Sequence, residues 1–285
     1  MRKTVLIGLL AIGIAASARA ADPQVPAQSA PTPQTEVLGR MSDTTTDNAT
    51  DSPVDPADAA WIAWTRCDGN NGCADAPATK LLQQQEPDNA ALWMPDVAAA
   101  QTANESKRID AALQRMARAS RYDDHIYTIA RAAALRALPP QAGPADFARA
   151  IRAFLAGAGV TPSSLYAVMR SCREAPQSDR ARRISCLRSG STMENGGSLL
   201  GQMAGQMLIV HASDNLAERA ATAQRERERE WQMQQMAALS KSMVDDPSLA
   251  KGWLHAIRTH TSETGMVAAL LTARSIALQP PSAGQ

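Results

Sequence analysis

Met203, Met207 and His211 stand four residues apart in the chain, so on a helix they fall on one stripe, with Met193 upstream and Met233 and Met236 beyond. Two soft thioethers and an imidazole on one face are donors that suit Cu(I). Leu199, Leu200, Leu208 and Ile209 surround the stripe, and methionine is also a flexible filler of apolar cores, so core packing is the competing reading. The four cysteines offer a second chemistry. Cys67 and Cys73 enclose Asp-Gly-Asn-Asn-Gly, a turn composition, and Cys172 and Cys186 flank a helix stop at Pro176 and a cap candidate at Ser178 or Asp179. Of the three possible pairings, 67–73 with 172–186 is the expected one, each bridge stapling neighbouring helices. The C-x5-C and C-x13-C spacings lack the short knuckles of a structural zinc site, and no C-x-x-C is present for redox catalysis.

The remaining reactive side chains form no recognised catalytic set. There is no G-x-S-x-G and no H-E-x-x-H, and the Ser-Asp-Asn at 213–215 lacks a partnering S-x-x-K. His125, His211, His255 and His260 sit beside no recognisable nucleophile, and surface or packing roles are expected for them. Asp123-Asp124 and Asp245-Asp246 fit helix starts, where carboxylates satisfy free amides and complement the helix dipole. Asp68 to Asp75 resembles a calcium loop in composition only, since its glycine falls at the fifth place and Thr79 stands where a bidentate glutamate is needed. Gly196, Gly197, Gly201 and Gly205 precede no G-K-[ST]; the last two, at i and i+4, fit close helix contact.

From Arg225 to Glu230 the charge alternates in sign, which places opposite charges at i and i+3 and supports an exposed helix. Trp231, Met233 and Met236 lie beside Arg225, Arg227 and Arg229, and this group is the predicted contact surface, for a partner protein or for self-association.

The elements that must carry these residues are helical. The chain has 285 residues, 56 of them alanine, the best helix former, and only 4% aromatic. From Pro56 onward apolar positions recur at helical spacing and no segment sustains strand alternation, which predicts an all-α domain over 57–278. Its helices run from Pro56 or Ala57 to Arg66, from Pro77 to Glu86, through Leu92 and Trp93, from a cap at Asn104 through Met116, and from Tyr122 to Leu138. Three shorter ones follow over 144–156, 161–174 and 178–188, then a long one over roughly 197–242, and two more opened by Asp246-Pro247 and Ser262. Packed helical hairpins, in a short solenoid-like array or a globule, are the expected architecture.

Residues 1–20 have a positive start at Arg2 and Lys3, an apolar stretch and an Ala18-Arg19-Ala20 cleavage pattern, which predicts a signal peptide. Residues 21–56 are acidic and rich in Pro, Ser and Thr, as is a disordered linker, and 279–285 are expected to be a disordered tail. No later run is apolar enough to span a bilayer. The formal net charge of +1, with no face-long basic run, argues against nucleic-acid binding.

Glu86-Pro87-Asp88-Asn89-Ala90-Ala91-Leu92-Trp93 resembles the junction between tetratricopeptide repeats, with Ala99 and Ala112 at small packing positions. The resemblance covers about one helix pair, near 88–121, and implies helix-turn-helix packing. With its leader and paired cysteines the chain is also similar to exported proteins of Gram-negative bacteria, which implies no activity. The expectation is therefore a periplasmic or secreted, non-enzymatic interaction or scaffold module without a cofactor, acting on envelope proteins. The alternatives are a Cu(I)-binding protein using Met203, Met207 and His211, and an enzyme of a type the motifs do not reveal.

Overall fold

The computed structural model describes residues 56–67, 73–139, 141–158, 163–176, 178–243 and 245–281. The expected signal peptide over 1–20, all but the last residue of the expected linker over 21–56, residues 68–72 and the last four residues lie outside them. The described residues form twelve α-helices and no strand, so the all-α expectation holds. In chain order these are α1 Pro56–Cys67, α2 Pro77–Gln85, α3 Met94–Thr102, α4 Ser106–Arg118, α5 Ile126–Arg136 and α6 Pro144–Ala158. Then come α7 Ser163–Arg173, α8 Arg180–Glu194, α9 Leu199–Ala212, α10 Leu216–Met243, α11 Pro247–Thr259 and α12 Glu263–Ala273.

The apolar faces meet in two cores. The first gathers Trp61 and Trp64 of α1, Leu82, Leu92, Met94, Leu113, Met116, Leu165, Val168 and Leu208, all essentially dry. The second joins α5 and α6 to α11 and α12 around Ile151, Phe154, Trp253, Ile257 and Leu271, with Phe154 edge-on between Tyr127 and Trp253. Each such side chain contributes on the order of 1.5–3 kcal/mol on burial. Helix α9 serves both cores, through Leu208 in the first and Leu199 in the second.

Close approach of α8 and α9 depends on two glycines that face each other. A Cβ on Gly205 would lie 2.5 Å from the Gly190 carbonyl oxygen and 2.6 Å from the Glu194 nitrogen. The sequence reading of Gly205 as a contact glycine is met there, while Gly201 leaves room for the Tyr122 ring. Both disulfides have the expected pairing, Cys67 with Cys73 (Cα separation 5.4 Å) and Cys172 with Cys186 (5.7 Å), the second tying α7 to α8.

The helix expected over 178–188 runs on to Glu194, and Leu92 and Trp93, expected within a helix, form a 3-10 turn before α3. Three further boundaries differ from the expectation, each for a local reason. The long helix breaks at Ser213-Asp214-Asn215, because the Asn215 side chain caps α10 by accepting from Ala217 and Glu218, and Ser213 accepts from Asn215. Asn104 ends α3 instead of starting α4; it adopts φ 56°, the left-handed conformation that asparagine tolerates. Residues 122–125 are not helical, since Asp123 and Asp124 each accept from the backbone two residues on, and α5 starts only after His125 at φ 54°.

Candidate functional site

The Pro87-Asp88-Asn89 junction builds the site from below. Asn89 is fully buried; its side-chain oxygen accepts from Ala91 and Asp123, while its amide donates to Glu86 and to the Asp123 carbonyl. A backbone bridge between Ala90 and Arg121 completes the clamp. Glu86 lies beneath it, taking hydrogen bonds from Trp61 (3.0 Å), Asn89 and Arg121. Burial would raise the Glu86 carboxyl, but these three bonds, with His125 nearby, hold it below the usual carboxylate range. The same groups fix His125, stacked on the Trp61 ring at 3.9 Å.

Segment 120–124, held in this way, forms one wall of a cavity of about 320 Å³ on the seam between the two cores. The start of α5, the α8–α9 turn through Asn195, Gly196 and Gly197, and the start of α12 form the others. Three helix N-termini, of α5, α9 and α12, therefore converge on one space. The first four amides of a helix have no partner within it, which explains the residue types that gather here. Ser198 caps α9 by accepting from Gly201, and Ser262 caps α12 by accepting from Gly265.

Two carboxyl groups lie at the centre of this convergence. Asp124 is buried and takes bonds from the Ile126 backbone, the Ser198 hydroxyl and Tyr122. Burial pushes its carboxyl above the ordinary value, and neighbouring Asp123 adds to the rise. Glu263, the first residue of α12, reaches across to α9 and accepts from the Leu199 amide at 2.8 Å. Withdrawal from bulk water, with Asp124 close by, pushes Glu263 up to about 7. Glu263 is set deep in the protein, yet the cavity keeps it in contact with solvent. Tyr127, which also lines the space, is raised by burial to about 12 and donates as a neutral phenol to the His260 carbonyl.

The side chains singled out in the sequence lie elsewhere. Met203 and Met207 are half-buried and His211 is exposed, so their common face of α9 is at the surface and not in either core. Partial burial, and then the positive charges of Arg173 and Arg219, lower the His211 imidazole; those charges also oppose a bound cation. Among the described residues no group of three His, Cys, Asp or Glu is placed to hold a metal ion.

The 225–236 group is divided among several tasks. Arg225 forms a two-pronged ion pair with Glu194 of α8, with bonds of 2.6 and 3.1 Å. Arg227 and Arg229 bond Gln224 and Gln232 on their own helix, and Trp231 donates to the Ala277 carbonyl. Met236 packs against the second core, and Met233 points outward. Asp245-Asp246 ends as expected of a cap, Asp246 accepting from Ser248 and Leu249.

Asp124 reads in the sequence as a helix cap, and nothing in the sequence singles out Glu263. Their chain positions, 124, 198 and 263, carry no shared motif, and the only local signal was a cap residue before each helix. No family model, curated protein or solved structure matches this chain.

Proposed function

We propose that this is an exported, non-enzymatic interaction module whose recognition element is the cavity between the two cores. One observation carries the reading: a cavity at a helix junction, walled by hydroxyls and carboxyls, in which the buried groups are committed to holding helices together. Asp124 is consumed by three hydrogen bonds, and the Ser198 and Ser262 hydroxyls by their caps. That arrangement gives a preorganised, rigid surface for binding and aligns no nucleophile with a base. The two disulfides support export, because such bonds persist in oxidising compartments, and no described helix is long and apolar enough to cross a membrane. The partners in this reading are envelope proteins.

The test is cross-linking in intact cells at native expression, with a photoreactive residue at Thr192 on the cavity rim, followed by mass spectrometry. A reproducible envelope protein linked through this position is expected. Recovery of the protein alone, or only with itself, would overturn the reading.

A further inference from the structure

Helix α10 is held along its length by two kinds of chemistry. The stripe that meets the rest of the protein is spaced at three and four: Thr222, Arg225, Arg229 and Gln232, then Met236, Leu239 and Met243. The last three belong to the second core, whereas among the described residues no side chain from 216 to 235 enters either core. Between the two parts, Trp231 and Gln232 donate to the Ala277 and Leu278 carbonyls and fix the helix at that point.

The first half therefore docks on polar groups. Arg225 reaches Glu194 of α8 with both prongs, and this pair is partly open to water, with side chains 44% and 17% exposed. Gln206 of α9 donates to the same carboxylate at 3.2 Å. Its own Oε1, together with Oε1 of Gln202 one turn earlier and Nε of Arg229, is buried without a hydrogen bond among the described residues. Each buried polar atom left unmet opposes docking, and a partly exposed ion pair returns little. Residues 214–221 are exposed throughout, Leu216 to 76%. Once away from α8 and α9, so short a polar helix is marginal in water and frays.

What this half holds down is a wall of the cavity. Glu194 is the last residue of α8, and Asn195, Gly196 and Gly197, which follow it, line the space. Beyond Glu194 the turn is tied by Gln202 to the Gly196 carbonyl (2.7 Å) and by the Thr264 amide to the Gly197 carbonyl (3.1 Å).

We propose that residues 216–230 of α10 are a strap that undocks from α8 and α9 while the second half of the helix stays in the core. Its release through Arg225 and Glu194 loosens the 195–197 wall and widens the cavity. The strap stands on the packing of α10; that the widening admits a partner rests on the interaction-module reading.

The test is amide hydrogen exchange on the full chain without a partner, read by NMR and corrected for intrinsic rates. Amides 221–229 are expected to exchange at least about tenfold faster than amides 236–242 of the same helix. Arg225→Ala, and separately about 0.5 M NaCl, should each quicken 221–229 by about threefold, because both weaken the pair with Glu194. The Gly196 amide, bonded to the Met193 carbonyl, should quicken in step, with no change at Trp253 and Ile257 of α11. Exchanging the charges, Arg225→Glu with Glu194→Lys, should return both sets of amides to near wild-type rates. Equal rates in the two halves of α10, or a rise in Arg225→Ala that spreads to α11 or omits Gly196, would overturn the proposal. No partner enters the measurement, so a failed strap leaves the interaction module standing, and the absence of an envelope partner leaves the strap.

Discussion

Raising the pH from 5.5 to 8.5 should loosen the seam between the two cores, and Glu263 sets the size of the effect. Its carboxyl moves from an ordinary 4.5 to about 7 on folding, chiefly because it is withdrawn from water. The folded protein therefore holds this proton more tightly than the unfolded chain. The stability so gained is fully present below the unfolded value and is lost as the pH rises through about 7. At roughly 1.4 kcal/mol for each tenfold, the whole loss between 4.5 and about 7 has an upper bound of about 3 kcal/mol, of which about 2 kcal/mol falls above pH 5.5; contact with water through the cavity reduces that part to about 1 kcal/mol. Asp124 is raised in the same direction and adds to the slope. Glu86 is held low, so its contribution is lost only as the pH falls through the acid range, outside this window. Urea unfolding at constant ionic strength with disulfides intact measures the difference. The wild type should lose about 1 kcal/mol between pH 5.5 and 8.5, and Glu263→Gln should lose less than half as much. A wild type equally stable at both pH values, or a slope of the same size in the variant, would refute the reasoning.

Other outcomes follow from packing and covalent structure. Replacing Cys172 and Cys186 by alanine opens a loop with a sequence separation of 14 and should cost about 3 kcal/mol in urea unfolding, with a non-reducing peptide map of the wild type showing 67–73 and 172–186 pairs. Gly205→Ala drives a Cβ into the α8 backbone and should lower stability by about 2–3 kcal/mol, whereas Gly252→Ala, inside α11 with nothing within 4 Å, should raise it by about 0.5–1 kcal/mol. Asn89→Ala leaves the buried Ala91 and Asp123 amides unmet and should cost about 2–4 kcal/mol, with added hydrogen exchange at 121–125. Because Arg173 and Arg219 bear on His211, purified reduced protein should retain no more copper than the Met203→Leu, Met207→Leu double variant, as read by metal analysis.

The parts of this fold that were readable in the sequence are those fixed within a turn or two of chain. Trp61 and Trp64, three apart, fall on one buried face; Asp179, Asp246 and Ser262 each cap the helix that follows; and the cysteines pair across the nearest helix stop. The break at 213–215 was hidden because Leu208, Ile209 and the residues beyond Leu216 keep a helical period on both sides of it, and only the side-chain bonds of Asn215 show the interruption. The cavity was hidden for a stronger reason. Its carboxyls are brought together by the packing of α5, α9 and α12, which are separated by tens of residues in the chain; taken singly, Asp124 reads as a helix cap and Glu263 as an ordinary first-turn acid behind the Ser262 cap. Charge patterning had pointed to α10 instead, where Arg225 and Trp231 make bonds within the molecule, to Glu194 and the Ala277 carbonyl.

The most direct test of the central claim places one photo-cross-linking residue at Thr261 on the cavity rim and, in a second strain, at Arg227 on the outer face of α10. With both proteins at native expression in intact cells, a reproducible envelope partner is expected from Thr261 and none from Arg227. Cross-links from Arg227 alone, or from neither position, would contradict it.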